Sequence, residues 1–368
     1  MQIKIPELCL IALVGTTGSG KSTFARKHFR STEVVSSDYC RGVVSDDETD
    51  QASTNDAFEL LHFIARKRLS RGKLTVVDAT NVQPEARKQL VSLAHSQDCF
   101  AYAIVLDVSP EVCEERNATR PDRDFGAHVL RNQHAALRRS LRSLEREGFR
   151  GVAVLRGQDQ IDNAEIVREQ LWVNRKTEAG PFDIIGDIHG CFDELLQLVQ
   201  QLGYEVEGQN GGEGTDETPI IARHPSGRKL VFVGDLVDRG PRTPDVLRLV
   251  MGSVAQGQAY CVVGNHDSKL MRALRGKNVK ISHGLAESLE QIAPHSEQFK
   301  ADVVRFLDGL ISHYIFDGGK LVVAHAGLKQ PYQGRTSKRV REFAMYGETT
   351  GETDEYGLPV RYNWAGEY

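Results

Sequence analysis

Short apolar runs alternate with amphipathic stretches through the first 170 or so residues. "LCLIALVG", "STEVVSSD", "LTVVDAT", "AYAIVLDV" and "GVAVL" read as five short strands buried on both faces. Between them, "DAFELLHFIARKRLSRG" and "QPEARKQLVSLAHS" place apolar residues at helical spacing. This alternation predicts an α/β fold, a parallel sheet covered by helices on both faces. The N-terminal "MQIKIPELCLIALVGTTG" holds an apolar run too short to span a bilayer and no small-residue cleavage site. It is read as the first core strand, with no membrane association, and the protein as cytoplasmic.

A second α/β series follows a polar stretch. "NRKTEAGP", residues 174–181, ends in Gly-Pro and predicts a linker between a first domain at 1–173 and a second at 182–368. Beyond it "FDIIGD", "KLVFVGD", "AYCVVGNHD" and "KLVVAHAG" are apolar runs ending in Gly, Asp, Asn or His. "EGQNGGEGTDETP", residues 207–219, is too polar to bury much and predicts a mobile surface loop.

A length of 368 residues agrees with two domains at the usual ~100–200 residues each. The net charge of −4 does not mark a general nucleic-acid binder, yet arginines crowd residues 116–150, and local clusters decide polyanion binding. Six scattered cysteines without a CxxC pair predict reduced, mostly buried thiols.

The first chemical motif is Gly15-Thr16-Thr17-Gly18-Ser19-Gly20-Lys21-Ser22, followed by Thr23, between a strand and a helix. It fits G-x-x-x-x-G-K-[ST], whose backbone amides and helix N-terminus cradle phosphates. Lys21 would reach the terminal phosphates of ATP or another NTP, and Ser22 would hold Mg2+. Asp38, at the end of "VVSSD", is placed to take a proton from an attacking hydroxyl; its structural alternative is a helix N-cap. Arg41 would grip a phosphate on the acceptor, and Asp78 either assists magnesium or bonds structurally. Arg116, Arg120 and Arg123 lie on one helix face if the helix persists to Pro121; they form either a lid over the phosphates or a solvated basic face.

"GTTGSGKST", the D-x-x-R of Asp38 and Arg41, "VVDATN" and the three arginines resemble the 5'-OH polynucleotide kinase branch of the P-loop phosphotransferases.

The second half carries D-x-H (Asp187, His189), G-D-x-x-D-R-G (Gly234 to Gly240), G-N-H-D (Gly264 to Asp267) and His325, each just after an apolar run. A pair of divalent ions, Mn2+ or another, needs a bridging carboxylate, here Asp235, with oxygen and nitrogen ligands around it. Asp187 and His189 would hold one ion, Asn265 and His325 the other. Arg239 would orient the phosphoryl oxygens, and His266, assisted by Asp267, would protonate the leaving oxygen. The set resembles the calcineurin-like metallophosphoesterases over residues 182–330, on the branch holding Ser/Thr phosphatases and symmetrical dinucleoside tetraphosphatases. That family takes a further histidine from a later Gly-His motif, and none follows His325. The resemblance therefore implies a second domain cut short, with phosphatase activity impaired in this chain.

The two motif sets in this order resemble the bacterial polynucleotide kinase-phosphatase of RNA repair. That family adds phosphate to 5'-OH ends and removes 2',3'-cyclic phosphate or 3'-phosphate. It implies RNA, or DNA, ends as partners, a ligase-like domain C-terminal to this stretch, and a 3'-end methyltransferase partner. Two other readings stay open: a metabolite kinase fused to a dinucleoside polyphosphatase or Ser/Thr-type phosphatase, and a non-catalytic second domain.

Overall fold

Each apolar run of the first half becomes a strand of one parallel sheet. In this computed structural model, which describes residues 1–119, 127–208, 217–355, 359–362 and 366, the chain divides into units Met1–Leu171 and Trp172–Tyr368. Elements of the first unit run β1 (Gln2–Pro6), β2 (Cys9–Val14), α1 (Lys21–His28), β3 (Val34–Ser36), α2 (Ser37–Ser45), α3 (Thr54–Ser70), β4 (Thr75–Asp78), α4 (Pro84–Ser96), β5 (Phe100–Asp107), α5 (Pro110–Ala118), α6 (Ala127–Ser140), β6 (Gly151–Arg156), α7 (Gly157–Asp162) and β7 (Glu165–Glu169). The five-stranded sheet has the order β3-β4-β2-β5-β6, all parallel. Ile11 and Leu13 pack with Phe24 and Ala25 of α1, Cys113 of α5 and Ile161 of α7. The alternate residues Leu10, Ala12 and Val14 are equally buried, so both sheet faces are covered.

The N-terminal run is two strands rather than one. Proline lacks the N–H that would continue a ladder, and Pro6 ends β1, which pairs in parallel with β7 apart from the main sheet.

A buried strut fastens α4 to the chain beyond α6. The Arg87 guanidinium, fully buried, donates to Glu147 at 2.6 and 2.8 Å, to Asn81 O at 2.8 Å and to Ser140 Oγ at 2.9 Å. Burial alone would raise the Glu147 pKa, but bonds from Arg87 and Ser143 outweigh it and hold it below the ordinary value. Glu147→Gln leaves Arg87 buried and unneutralised, so it should destabilise the protein by about 3 kcal/mol. Because the folded pKa is depressed, this stabilisation is complete above the ordinary carboxylate value and lost as pH falls through the folded one. Urea unfolding should show the gap at neutral pH and its closure in acid; equal midpoints at pH 7 would count against the strut.

The second unit continues with β8 (Asn174–Arg175), β9 (Phe182–Ile185), α8 (Phe192–Gln201), β10 (Glu205–Glu207), β11 (Ile221–Arg223), β12 (Lys229–Phe232), α9 (Thr243–Ala255), β13 (Ala259–Cys261), α10 (Asn265–Leu274), α11 (Leu285–Ile292), α12 (Glu297–Gly309), β14 (His313–Phe316), β15 (Leu321–Ala324), α13 (Lys338–Tyr346), β16 (Thr349–Thr353) and β17 (Pro359–Arg361). Parallel strands β9, β12 and β13 form one sheet, with β12 central. A second sheet pairs β14 antiparallel with β15 and parallel with β8. Along β12, Leu230 and Phe232 join the large helical core, while Val231 packs with Phe316 of β14 and Val323 of β15. The strand therefore lies between a helical layer and the second sheet.

The polar segment 174–181 is not a free linker. Asn174 and Arg175 pair with Ile315 and Phe316, and Glu178 binds Lys229 at 3.0 Å. Two residues of edge strand need little apolar character, which is why composition misassigned them. The predicted loop 207–219 begins at the end of β10, and its residues 209–216 lie outside the described ones. All six cysteines are free, five of them buried. No helix among the described residues is long and apolar enough to cross a membrane.

Candidate functional site

In the first unit the sheet delivers a phosphate loop at the end of its central strand β2. Gly18 has φ +82°, and a Cβ there would stand 2.5 Å from Cys113 O, so only glycine lets the loop close against α5. Lys21, the first residue of α1, is buried, and its ammonium donates to Gly15 O at 2.9 Å and Thr16 O at 2.8 Å. Thr17 N donates to Gln133 Oε1 of α6 at 2.8 Å.

Two pockets open from this loop. One, of about 240 Å3, is bounded by Lys21, Ser22, Asp38, Arg41, Phe58 and Asp78. The other, of about 380 Å3, is bounded by Gly18 to Gly20, Phe24, Arg116, Gln158 and Asp162. Asp38 is not an N-cap: Ser36 caps α2, accepting from Tyr39 N, and Asp38 sits in the first turn. Its Oδ1 accepts from Arg41 at 2.9 Å, and Arg41, itself buried, also donates to Glu48 O at 2.8 Å. Burial raises the Asp78 pKa, against a hydrogen bond from Ser22 and the charge of Lys21. Ser22 and Asp78 thus form an adjoining oxygen pair beside the phosphate loop, the ligand type that divalent cations take. Arg116 reaches the loop, with Nη1 3.4 Å from Gly18 O and Nη2 2.7 Å from Gln158 Oε1. Arg120 and Arg123 lie outside the described residues.

In the second unit the three parallel strands end together. Asp187 and His189 follow β9, Asp235 follows β12 and Asn265 follows β13, the strand ends where open parallel sheets place their ligands. His189, Asp235, Asp238 and Arg239 have φ of 48°, 47°, 72° and 68°, left-handed backbone that turns these side chains back over the sheet edge. A Cβ on Gly264 would lie 2.2 Å from both Asp235 N and Oδ1, so the Asp235 carboxylate rests against bare backbone.

The donor chemistry fits divalent cations. His189 Nδ1 and His325 Nδ1 face the carbonyls of Val237 and Val233 at 2.8 and 3.0 Å, which puts their protons there. Each Nε2 lone pair then faces Asp235 Oδ2, at 3.9 and 3.4 Å. His325 Nε2 also lies 3.0 Å from Asn265 Oδ1. Lone pairs converging with no proton between them repel unless a cation lies among them, and ring protons given to carbonyls are how metal-binding histidines are oriented. Bound there, the ions would polarise the phosphoryl group and activate water.

Comparison with known proteins places these two constructions. Residues 180–359 match the family described as Calcineurin-like phosphoesterase, and residues 10–144 match the AAA domain. The bis(5'-nucleosyl)-tetraphosphatase PrpE [asymmetrical] of Geobacillus sp. (strain WCH70) is 43% identical over 190 residues, 50% of this chain and 73% of that protein. This chain belongs to the calcineurin-like phosphoesterases. The PrpE of Halalkalibacterium halodurans is 42% identical over 51% of this chain and 73% of that protein. Among solved structures, the Mycobacterium tuberculosis APS kinase CysC in complex with AMPPNP and APS is 18% identical. It covers 38% of this chain and 99% of that chain at a TM-score of 0.26, a likeness that carries no argument. The protein is thus a kinase-like P-loop unit joined to a metallophosphoesterase unit, and both relatives named here are asymmetrical tetraphosphatases.

Within the phosphoesterase unit, two clusters of side chains that could each hold an ion lie around Asp235 among the described residues. One group is His189, Asp235 and His266; the other is Asp187, Asp235 and His325, with Asn265 against His325. His189, with left-handed backbone, has its ring edge-on to His266, centroids 4.8 Å apart. Asp267 does not assist His266. Its buried carboxylate accepts from Leu236 N and Gly264 N, both at 2.9 Å, and burial pushes its pKa up to about 6. The partner of His266 is Asp238, with Oδ2 2.7 Å from Nδ1; that bond raises the histidine's pKa against the effect of burial. Ser288 Oγ, 2.8 Å from Asp238 Oδ1, fixes the carboxylate in turn. The second carboxylate of G-D-x-x-D-R-G was the available signal for Asp238. Arg239 is exposed beside this pair and is an electrostatic neighbour of His266.

Proposed function

We propose that the second unit is a divalent-metal phosphohydrolase acting on dinucleoside polyphosphates, and that the first transfers a phosphoryl group from an NTP to a hydroxyl acceptor. The convergence of His189, His325 and Asn265 on Asp235, with the imidazole protons directed elsewhere, carries the hydrolase reading. The tetraphosphatase relatives support the substrate class. In the hydrolase, Asp187, His189, Asp235, Asn265 and His325 would hold the ions, and Arg239 would bind phosphoryl oxygens. His266, oriented by Asp238, would give its Nε2 proton to the leaving oxygen. In the kinase, Lys21 and Arg116 neutralise phosphate charge while Asp38 takes the proton from the attacking hydroxyl, whose oxygen bonds to the γ-phosphorus as the nucleoside diphosphate leaves.

A second reading, healing of polynucleotide ends, is favoured by Asp38 and Arg41. They stand together in the pocket beside Lys21, a base and a phosphate-gripping cation side by side. One panel separates the readings. With manganese, diadenosine tetraphosphate should be hydrolysed to ATP and AMP faster than 3'-phosphate or 2',3'-cyclic phosphate is removed from RNA. With magnesium and labelled ATP, nucleosides should compete with 5'-OH oligonucleotides as acceptors. Efficient 3'-end hydrolysis together with acceptance only of oligonucleotides would replace the first reading by the second.

A further inference from the structure

The chain that leaves the phosphoesterase centre along α10 and returns to it is cationic. From Lys269 to Gly284 the chain carries Lys269, Arg272, Arg275, Lys277 and Lys280 and no Asp or Glu, although the whole protein has a net charge of −4. Lys269 and Arg272 follow Asn265 on one face of α10, at helical spacing from a residue of the metal-binding group. The segment after α10 then returns to the centre. A Cβ on Gly284 would stand 2.2 Å from Arg239 N and 3.0 Å from Asp238 Cβ. Lys269 Nζ ties this return to the helix, donating to Ser282 O at 3.1 Å and Ser282 Oγ at 2.8 Å.

Arg275 is neutralised by Asp308 at 2.8 Å. Arg239, Arg272, Lys277 and Lys280 are exposed, and none has a carboxylate partner in an ion pair among the described residues. Two exposed apolar side chains flank them, Ile281 at 53% and Tyr346 at 43%. Tyr346 ends α13, where Ala344 O accepts from Ala326 N at 2.7 Å, one residue past His325; Asp235 and Arg272 are among the charges acting on its phenol.

Like charges gathered on one border repel each other and stabilise nothing by themselves; they focus a field on an anion. One phosphoryl group at the ions is already served by Arg239. The remaining cations suit phosphates that do not react, and an exposed ring suits a base.

We propose that Arg272, Lys277 and Lys280 bind the non-reacting phosphates of a nucleoside polyphosphate chain, with Tyr346 against its nucleoside. This rests on the reading of the second unit as a metal-dependent hydrolase. The test compares wild type, the double variant Lys277→Glu/Lys280→Glu and the control Arg305→Glu, which reverses a charge on α12. Diadenosine tetraphosphate and p-nitrophenyl phosphate are the substrates, with manganese, at low and high salt. The double variant should raise KM for the tetraphosphate roughly 5- to 20-fold, as two weakened surface charge contacts imply, with kcat little changed and the effect shrinking in high salt. The KM shift for p-nitrophenyl phosphate should be several-fold smaller, and the control should resemble wild type.

Equal shifts on both substrates, or none, would overturn the proposal. So would a shift for a 3'-phosphorylated oligonucleotide without one for the tetraphosphate, which would assign the border to nucleic acid. Calorimetric binding of the tetraphosphate in a Lys21→Ala background, which silences the phosphate loop, gives a readout independent of turnover. If wild type hydrolyses neither substrate, the hydrolase reading fails, while loss of binding in the double variant still decides the border's role.

Discussion

Asp235→Asn should lower manganese-dependent hydrolysis of p-nitrophenyl phosphate by on the order of 10^3-fold or more, because it removes the one carboxylate common to both ligand groups. Its Oδ2 faces His189, His266 and His325 at 3.9, 3.9 and 3.4 Å, while its Oδ1 accepts from His266 N at 3.0 Å. A neutral amide cannot bridge two cations, so metal content should fall below two equivalents. The fold should survive, since asparagine tolerates the left-handed backbone that Asp235 adopts at φ 47°. Thermal midpoint, metal analysis and turnover together check this. Two equivalents of metal and near wild-type turnover in the variant would show that the chemistry happens elsewhere.

The second large effect is expected in the P-loop unit. Lys21→Ala should reduce phosphoryl transfer from ATP by on the order of 10^3-fold, and Asp38→Ala by 10^2- to 10^4-fold, for separate reasons. Lys21 lies at the centre of the loop, its ammonium within hydrogen-bonding distance of Gly15 O and Thr16 O, so its loss weakens nucleotide binding and transfer together. Asp38 stands in the pocket with Arg41, and its loss should leave nucleotide affinity intact while transfer disappears. Fluorescent-nucleotide titration beside a transfer assay distinguishes the two. Wild-type-like transfer in Asp38→Ala would reduce Asp38 to an anchor for Arg41.

The strands were legible because their physics is local. A buried parallel strand is an apolar run, and a run that stops abruptly at Asp, Asn or His marks the sheet edge where ligands gather; β9, β12 and β13 all followed that rule. What the chain did not disclose depends on directions in space. Asp267 neighbours His266 in the chain, yet successive residues of a helix point about 100° apart and do not face each other. Asp238, 28 residues earlier, reaches the ring instead. His189 lies ring-edge to His266 on left-handed backbone, a conformation to which an Ile-His-Gly sequence gives little clue. Segment 174–181 hid its strand for a different reason: β8 makes its contribution through backbone hydrogen bonds, which every residue type can make.

The left-handed backbone at His189, Asp235, Asp238 and Arg239 has a consequence for the order of assembly. Each such residue costs roughly 1–2 kcal/mol relative to ordinary backbone, so an unstructured chain seldom presents all four at once. A cation meeting the nascent polypeptide would find scattered carboxylates and imidazoles rather than a coordination shell. Sheet and helices close first and impose those turns, so a cation would load late, onto a finished scaffold. A metal held here would be a tenant of the architecture, unlike the ion of a zinc finger, without which the chain stays unfolded.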